Sequence, residues 1–416
     1  MAAMCAMYFL SWFQKTAVPG QIFNRIQTDL SMSAGEVTAL GSIFFYVYAG
    51  MQLFVGVSAD RFGGRRMLLI GGLIMCVGAV AFPLSPNLPV LYASRALTGL
   101  GASFMYLSIV KEIDALWSPR HFAAILGVVL FFGYSGGLAA TAPLDWLAAR
   151  MNWRPAMLAV GLFSAASLVV AWLTLRKMGN PVAPGRQPLL GPLVAIVRRR
   201  PSRPMLLIGA IGFPVYFVVQ ATIGKKFLED ACGLSSAAAA RFVLLMMAVC
   251  VVMVFLAGPI LKLTRYRRKP VLIASGVLAL SATLILTLGA WGRAPAWVFL
   301  AAFVLLAAST GAGPAATAAF KELNPPDVVS QSVAVLNCLS YLGVGALSNV
   351  SGFVLDRFAS QAVVTAAGTI YPAHAYAVVF AVLAVLSLVA LLAVFWVPET
   401  RGRSRYRALG RLGAFN

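Results

Sequence analysis

Acid is scarce in this sequence: twelve Asp and Glu residues stand against 33 Lys and Arg in a chain of 416, giving a formal net charge of +21. Charge of either sign is sparse too, at 11% of residues, where a soluble domain carries about 25%. That excludes an ordinary soluble fold. Histidine is nearly absent, with His121 in a connection and His374 at the edge of the last apolar run. An intramembrane enzyme needs a nucleophile with its base, or His and Asp metal ligands, and the sequence offers neither set. Enzymatic function is not expected, no cofactor is implied, and nothing resembles an ATP-binding module. The five cysteines (Cys5, Cys76, Cys232, Cys250, Cys338) are scattered without metal-ligand spacing and read as reduced packing residues. Nucleic-acid binding is not expected either, because the basic residues fall in short gaps between apolar runs rather than along one polar face.

What fills the chain is apolar: 61% of residues are hydrophobic and the mean hydropathy is +0.87. Runs of this length, at 1.5 Å per residue, are long enough to cross a hydrocarbon core of about 30 Å. Twelve are expected, near 4–24, 37–58, 67–84, 90–113, 122–143, 153–175, 204–224, 239–261, 270–290, 295–319, 329–352 and 374–397. The first 13 residues lack the basic start and small-residue cleavage site of a signal peptide and read as the beginning of span 1. Pro204 and Pro214 interrupt span 7, and Lys225 and Lys226 close it, where two lysines at a helix end are expected to be solvated.

The connections divide by charge. Twenty-two Lys and Arg residues fall on the side that carries the turn Gly56-Val-Ser-Ala-Asp60-Arg61-Phe-Gly63-Gly64-Arg65-Arg66, and seven on the other. By the positive-inside rule this turn and both termini are expected in the cytoplasm. Between spans 6 and 7, residues 176–203 hold eight Pro and Gly residues, with Arg198-Arg199-Arg200 near their end. Such density breaks a helix, so a linker is expected at 179–203 between a bundle at 1–178 and a second at 204–397, with a basic tail at 398–416.

The two bundles echo each other. Gly56, Arg65 and Arg66 recur as Gly258, Arg267 and Arg268, and Thr98-Gly99-Leu-Gly101 with Lys111-Glu112 recurs as Thr310-Gly311-Ala-Gly313 with Lys321-Glu322. A duplicated six-helix unit places a binding site at the interface of the halves, near mid-membrane.

With these features the chain resembles the major facilitator superfamily over essentially its whole length. The Gly56–Arg66 turn is similar to that superfamily's signature loop between spans 2 and 3. Arg95-Ala-Leu-Thr-Gly99-Leu-Gly101 is similar to its span 4 signature, and Pro398-Glu399-Thr400-Arg401-Gly402 resembles the ending of its sugar-type members. The resemblance implies an all-α membrane protein of twelve transmembrane helices in two six-helix pseudo-symmetric bundles. It also implies alternating access by rocking of the halves, without covalent chemistry. Span 5 lacks the Gly-Pro motif of drug/proton antiporters, reading Gly133-Tyr134-Ser-Gly136-Gly137 instead. The start of the chain looks more like bacterial organic-anion, amino-acid or dipeptide members, and the absence of long glycosylatable loops fits a bacterial inner membrane.

Charges within spans are the site candidates. Lys15 lies about eleven residues into span 1, where an unpartnered charge costs about 2.5 kcal/mol or more. It either faces a water-filled cavity with Gln14 beside it, or snorkels to an interface. Arg95 is expected to take part in coupling or anion binding, or else in structural pairing, and Arg241 in span 8 is similarly open. Tyr46, Tyr48, Gln52, Tyr134, Tyr216, Gln220, Asn337 and Tyr341 supply neutral polar groups to solute or to neighbouring helices. The turn residues Gly56, Asp60, Arg61, Gly63, Arg65 and Arg66 are expected to gate the carrier. No Asp or Glu sits at mid-span; Glu36, Glu112, Asp114, Asp145 and Glu322 fall near helix ends. A cavity with Lys15 and no midplane acid favours an anionic or zwitterionic solute. The expected function is a monomeric secondary transporter in the lipid bilayer, moving a carboxylate, amino acid or dipeptide, with H+ or Na+ as the open choice of coupling ion. A multidrug or metabolite exporter is the alternative, and a non-transporting membrane sensor a remoter one.

Overall fold

A computed structural model describes residues 2–116, 119–176, 196–324, 329–365 and 368–402. The side chains of residues 56, 57, 59–61, 114, 115, 119–124, 329 and 330 lie outside that description. The gating expectation for Gly56, Asp60 and Arg61 therefore rests on side chains outside the described residues, as do most of the linker and the tail beyond residue 402.

Helices occupy all twelve expected positions. Among the described residues nine are long and apolar enough to cross a membrane, or ten when one bent pair is joined. The others are the sixteen-residue α1 (Ala2–Ala17) and the longer α5 (Leu88–Leu116), whose charges dilute its apolar character.

Two compact units emerge: residues 1–187 with 218–244 and 345–372, and residues 188–217 with 245–344 and 373–416. In the first, α1 is followed by a tight turn at Gly20–Ile22 and the short α2 (Phe23–Leu30). Then come α3 (Ala34–Phe62), α4 (Gly64–Leu84), α5, α6 (Pro119–Ala139), α7 (Ala142–Met151) and α8 (Trp153–Leu175). Gly63 makes the reversal between α3 and α4 at φ 83°, a conformation that suits glycine. Helix α5 packs on α3 and α4. At Gly99 an added Cβ would lie 2.5 Å from the carbonyl oxygen of Phe44 on α3, and at Gly101 it would collide with the backbone of Met75 on α4. The signature glycines are thus contact points of three backbones, as small residues are in membrane bundles.

Span 5 is not one straight helix: its apolar part, Ile125–Ala139, and α7 meet at 42°, which carries Asp145 past the break. Span 7 is likewise composite. Helix α9 (Arg203–Val218) passes into a wider π-type turn at Val219–Ile223, then α10 (Gly224–Cys232). Pro214 has no N–H for the Ala210 carbonyl four residues back, and Gly343 packs against that carbonyl. The remaining helices are α11 (Ser236–Leu263), α12 (Arg268–Trp291), α13 (Ala296–Ala308), α14 (Gly313–Leu323), α15 (Val329–Arg357) and α16 (Ala373–Phe395). A two-stranded antiparallel hairpin, β1 (Val363–Thr365) and β2 (Gly368–Ile370), precedes α16, an element not foreseen from the apolar pattern.

In the second unit α12 packs on α16 and α13. Arg268 Nη2 meets Glu322 Oε1 at 2.8 Å, and the Thr400 hydroxyl bonds Glu322 as well. Glu399 accepts the backbone N–H groups of Arg268 and Lys269 at 2.8 and 3.0 Å, capping α12. Burial pushes the Glu399 carboxyl up, but these N–H groups, with those of Arg401 and Thr400, outweigh it and hold it below its ordinary value. In the first unit Glu112, the sequence match of Glu322, takes the capping part itself: its Oε1 accepts the Arg65 backbone N–H at 2.6 Å at the start of α4.

Candidate functional site: a buried lysine and two interrupted helices

Pro19-Gly20 stops α1, because proline cannot continue the hydrogen-bond ladder. The turn that follows packs against the π-type turn of span 7. Gly20 permits the approach, since a Cβ there would lie 2.5 Å from the Ala221 carbonyl oxygen. Spans 1 and 7 hold equivalent places in the expected repeat, and paired interruptions of this kind are where carriers of duplicated architecture build their binding sites.

Lys15 ends α1 wholly inside the protein, 1% exposed, so the snorkelling alternative does not hold. Its Nζ donates to Tyr48 Oη at 2.9 Å, and lies 4.1 Å from the Tyr48 ring centroid and 5.0 Å from that of Trp12. Aromatic faces stabilise a desolvated ammonium by about 2 kcal/mol. Trp12 in turn packs on Tyr134, ring centroids 4.7 Å apart. The structure therefore joins Lys15 to Tyr134, from spans 1 and 5, through Trp12, which the sequence does not single out, and ties it to the candidate Tyr48 on span 2.

Among the described residues, buried polar atoms lack protein partners at Trp12 Nε1, Gln14 Nε2 and Thr16 Oγ1, on the same helix as Lys15, and at both side-chain amide atoms of Gln21 and of Gln220. Buried polar groups are normally satisfied. Each one left open costs about 1–3 kcal/mol. Two of the three on α1 are pure donors, which suits a ligand rich in acceptors.

Arg95 is 0% exposed and reaches α3 and α1 rather than an open space. Its Nε donates to Leu40 O at 3.3 Å, both terminal nitrogens donate to Gln14 O at 3.4 Å, and its guanidinium lies 4.7 Å from the Phe44 ring. Of the two roles expected for it, structural pairing is what these contacts describe.

The other candidates are dispersed. Gln52 donates to Ser103 O at 3.4 Å, joining α3 to α5. Tyr46 is 38% exposed and accepts from Asn349 Nδ2 at 3.0 Å. In the second unit Tyr216 bonds Met247 Sδ at 3.7 Å, Tyr341 meets the Phe213 ring edge-on at 5.7 Å, and Asn337 is half-buried one turn before Tyr341. Arg66 and Arg241 are exposed, and Arg65 Nη1 holds the Leu175 carbonyl at 3.0 Å.

Lys225 and Lys226 overturn the expectation that they are solvated. Lys225 Nζ meets Asp145 Oδ1 at 2.9 Å, Glu229 Oε1 at 3.1 Å, the Gln21 carbonyl at 2.9 Å and Ser236 Oγ at 2.8 Å. Lys226 Nζ meets Asp230 Oδ2 at 3.1 Å, Asn24 Oδ1 at 2.7 Å and the Thr369 carbonyl at 2.7 Å. Asn24 also donates to Glu229 at 2.7 Å, and the Tyr371 backbone N–H to Asp230 at 3.0 Å. The π-type turn puts an extra residue into span 7 and turns both lysines inward. A hydropathy count places them at a helix end and carries no sign of this.

A family model described as Major Facilitator Superfamily matches residues 4–348. Among curated proteins, the probable sulfoacetate transporter SauU of Cupriavidus necator is 25% identical over 167 residues, 39% of this chain and 38% of that one. The methyl viologen resistance protein SmvA of Salmonella typhimurium is 31% identical over 176 residues, 41% of this chain and 34% of that one. The match thus spans little more than a third of these relatives' length. Among solved structures, the nucleoside transporter NupG superposes with a TM-score of 0.73 at 13% identity, covering 95% of this chain and 98% of that one, which establishes the shared fold. With its apolar helices this is a multi-pass integral membrane protein, and the chain belongs to the Major Facilitator Superfamily.

Proposed function

We propose that the protein is a secondary active transporter that moves a small organic anion or zwitterion (a carboxylate, amino acid or dipeptide) by alternating access. The observation that carries this reading is Lys15: fully buried, held by Tyr48 at 2.9 Å, with unpartnered donors at Trp12 and Gln14 on the same helix. A carboxylate brings acceptors to those donors and a counter-charge to the lysine, and binding such a group recovers part of the cost of keeping them buried. The likeness to a sulfoacetate transporter supports an anion. The likeness to a methyl viologen resistance protein favours the exporter alternative, but an organic dication would meet the fixed charge of Lys15.

The proposal extends to the organisation of the chain: halves at 1–178 and 204–397 joined by the basic linker 179–203, the tail 398–416 and both termini in the cytoplasm, in a bacterial inner membrane, acting as a monomer. The Asp60 turn gates the cytoplasmic side, so Asp60→Asn lowers flux at unchanged expression. Reconstitution in liposomes, with labelled carboxylates, amino acids and organic cations offered under imposed pH and sodium gradients, tests the reading. Uptake confined to anions or zwitterions supports it and identifies the coupling ion; uptake confined to cations removes it.

A further inference from the structure

Where α2, α10 and the β1–β2 hairpin meet beside the end of α7, the first unit forms a half-open cavity of about 670 Å3 whose lining does not include Lys15. Gln21, Arg25, Asp29, Lys225, Glu229 and Asp230 line it, with serine, threonine and asparagine side chains between them. Gln21 is 0% exposed and both its amide atoms lack a partner among the described residues.

The charges around this cavity balance. Arg25 and Lys225 pair with Asp145, Lys225 also with Glu229, Lys226 with Asp230, and Arg154 with Asp29 at 2.9 Å. A lone anion or a lone cation entering here disturbs a neutral set of pairs and leaves one partner uncompensated, which is costly in a partly buried site. A solute bearing both charges meets a carboxylate and a cation at once. The open amide of Gln21 offers one more donor and one more acceptor.

We propose that this cavity is a second solute site, distinct from the one at Lys15, and that it takes a small zwitterion of the amino-acid class, bound through Gln21 and the ion pairs of Lys225. The proposal shares with the function above only the solute's charge class, and binding to the cavity is measurable without transport.

The test is equilibrium dialysis of the purified full chain in nanodiscs against labelled alanine, propionate and isopropylamine, probes of similar size and different charge. The Lys15→Ala background removes the central site. There alanine is expected to bind, with propionate and isopropylamine at least tenfold weaker. Gln21→Met, near in volume but without the amide, and Ser235→Trp, which fills the cavity from its exposed rim, each weaken alanine binding at least tenfold. Gln21→Met keeps or raises Tm, because it removes two unsatisfied buried atoms, so its loss of binding is not a loss of fold. Should Lys15→Ala not fold, the wild type carries the same comparison with Ser235→Trp. Alanine binding unchanged in both Gln21→Met and Ser235→Trp, or single charges bound as well as alanine, overturns the proposal. Alanine binding that vanishes with Lys15→Ala alone also overturns it while leaving the transport reading in place.

Discussion

Lys225 Nζ and Asp145 Oδ1 lie 2.9 Å apart with side chains only 6% and 3% exposed, tying α10 to α7 in the first unit. Fully stranding a buried charge costs about 3–5 kcal/mol; here each member keeps one further charged partner, Glu229 for Lys225 and Arg25 for Asp145, so the cost of removing one falls below that. Asp145→Leu and Lys225→Leu are each expected to lower Tm by several degrees. The double variant is expected to be more stable than their summed losses allow, because each single variant already loses the contact between the two. A double-mutant cycle on thermal unfolding reads this; strict additivity would mean that the two side chains do not interact.

Arg95 bridges α5 to the carbonyls of Leu40 on α3 and Gln14 on α1. Lysine cannot reproduce its fork of donors. Arg95→Lys is therefore expected to lose about 2 kcal/mol and Arg95→Met more, each seen as reduced folded yield and Tm. A residue acting only in coupling would instead leave Tm unchanged and alter the dependence of uptake on the pH gradient.

Gly99 and Gly101 stand where α5 meets the backbones of α3 and α4. Methyl groups there force the helices apart, and over-packing of this kind costs about 1–3 kcal/mol. Gly99→Ala and Gly101→Ala are expected to lower Tm. Gly50→Ala on α3, where an added Cβ meets nothing within 4 Å, is expected to leave Tm unchanged. Equal tolerance at all three positions contradicts the close packing.

Glu399 caps α12 with its carboxylate held below the ordinary value of 4.5. A depressed carboxylate contributes stability that is present above its unfolded value and is lost as pH falls through its folded one. The Tm advantage of wild type over Glu399→Gln is thus expected to be full near neutrality and to close at pH values below 4.5. An advantage that widens on acidification reverses the sign.

The positions of the helices were legible because long apolar runs carry their own signal, and the span 4 signature marked a contact that the backbone distances explain. The interior chemistry was less so. Lys15 stood out as a charge inside an apolar run and Tyr48 as a polar group on span 2, but Trp12, the other aromatic neighbour, looked like an ordinary lipid-phase residue. Pro19-Gly20 and Pro214 were visible as interruptions; that the turns near them pack together is a long-range fact no local pattern contains. Asp145 and Lys225 are 80 positions apart in sequence and each sits by an apparent helix end, so hydropathy assigned them to water. Only the bend before α7 and the π-type turn before α10 bring them inward.

The most direct test of the account is the initial rate of carboxylate or zwitterion uptake by liposomes carrying wild-type chain, Lys15→Ala or Lys15→Arg. Loss of a charge-assisted bond to the solute of about 1.5–3 kcal/mol predicts that Lys15→Ala slows uptake at low solute by roughly tenfold or more at unchanged folded yield, with partial recovery in Lys15→Arg. Uptake by Lys15→Ala at the wild-type rate would contradict it.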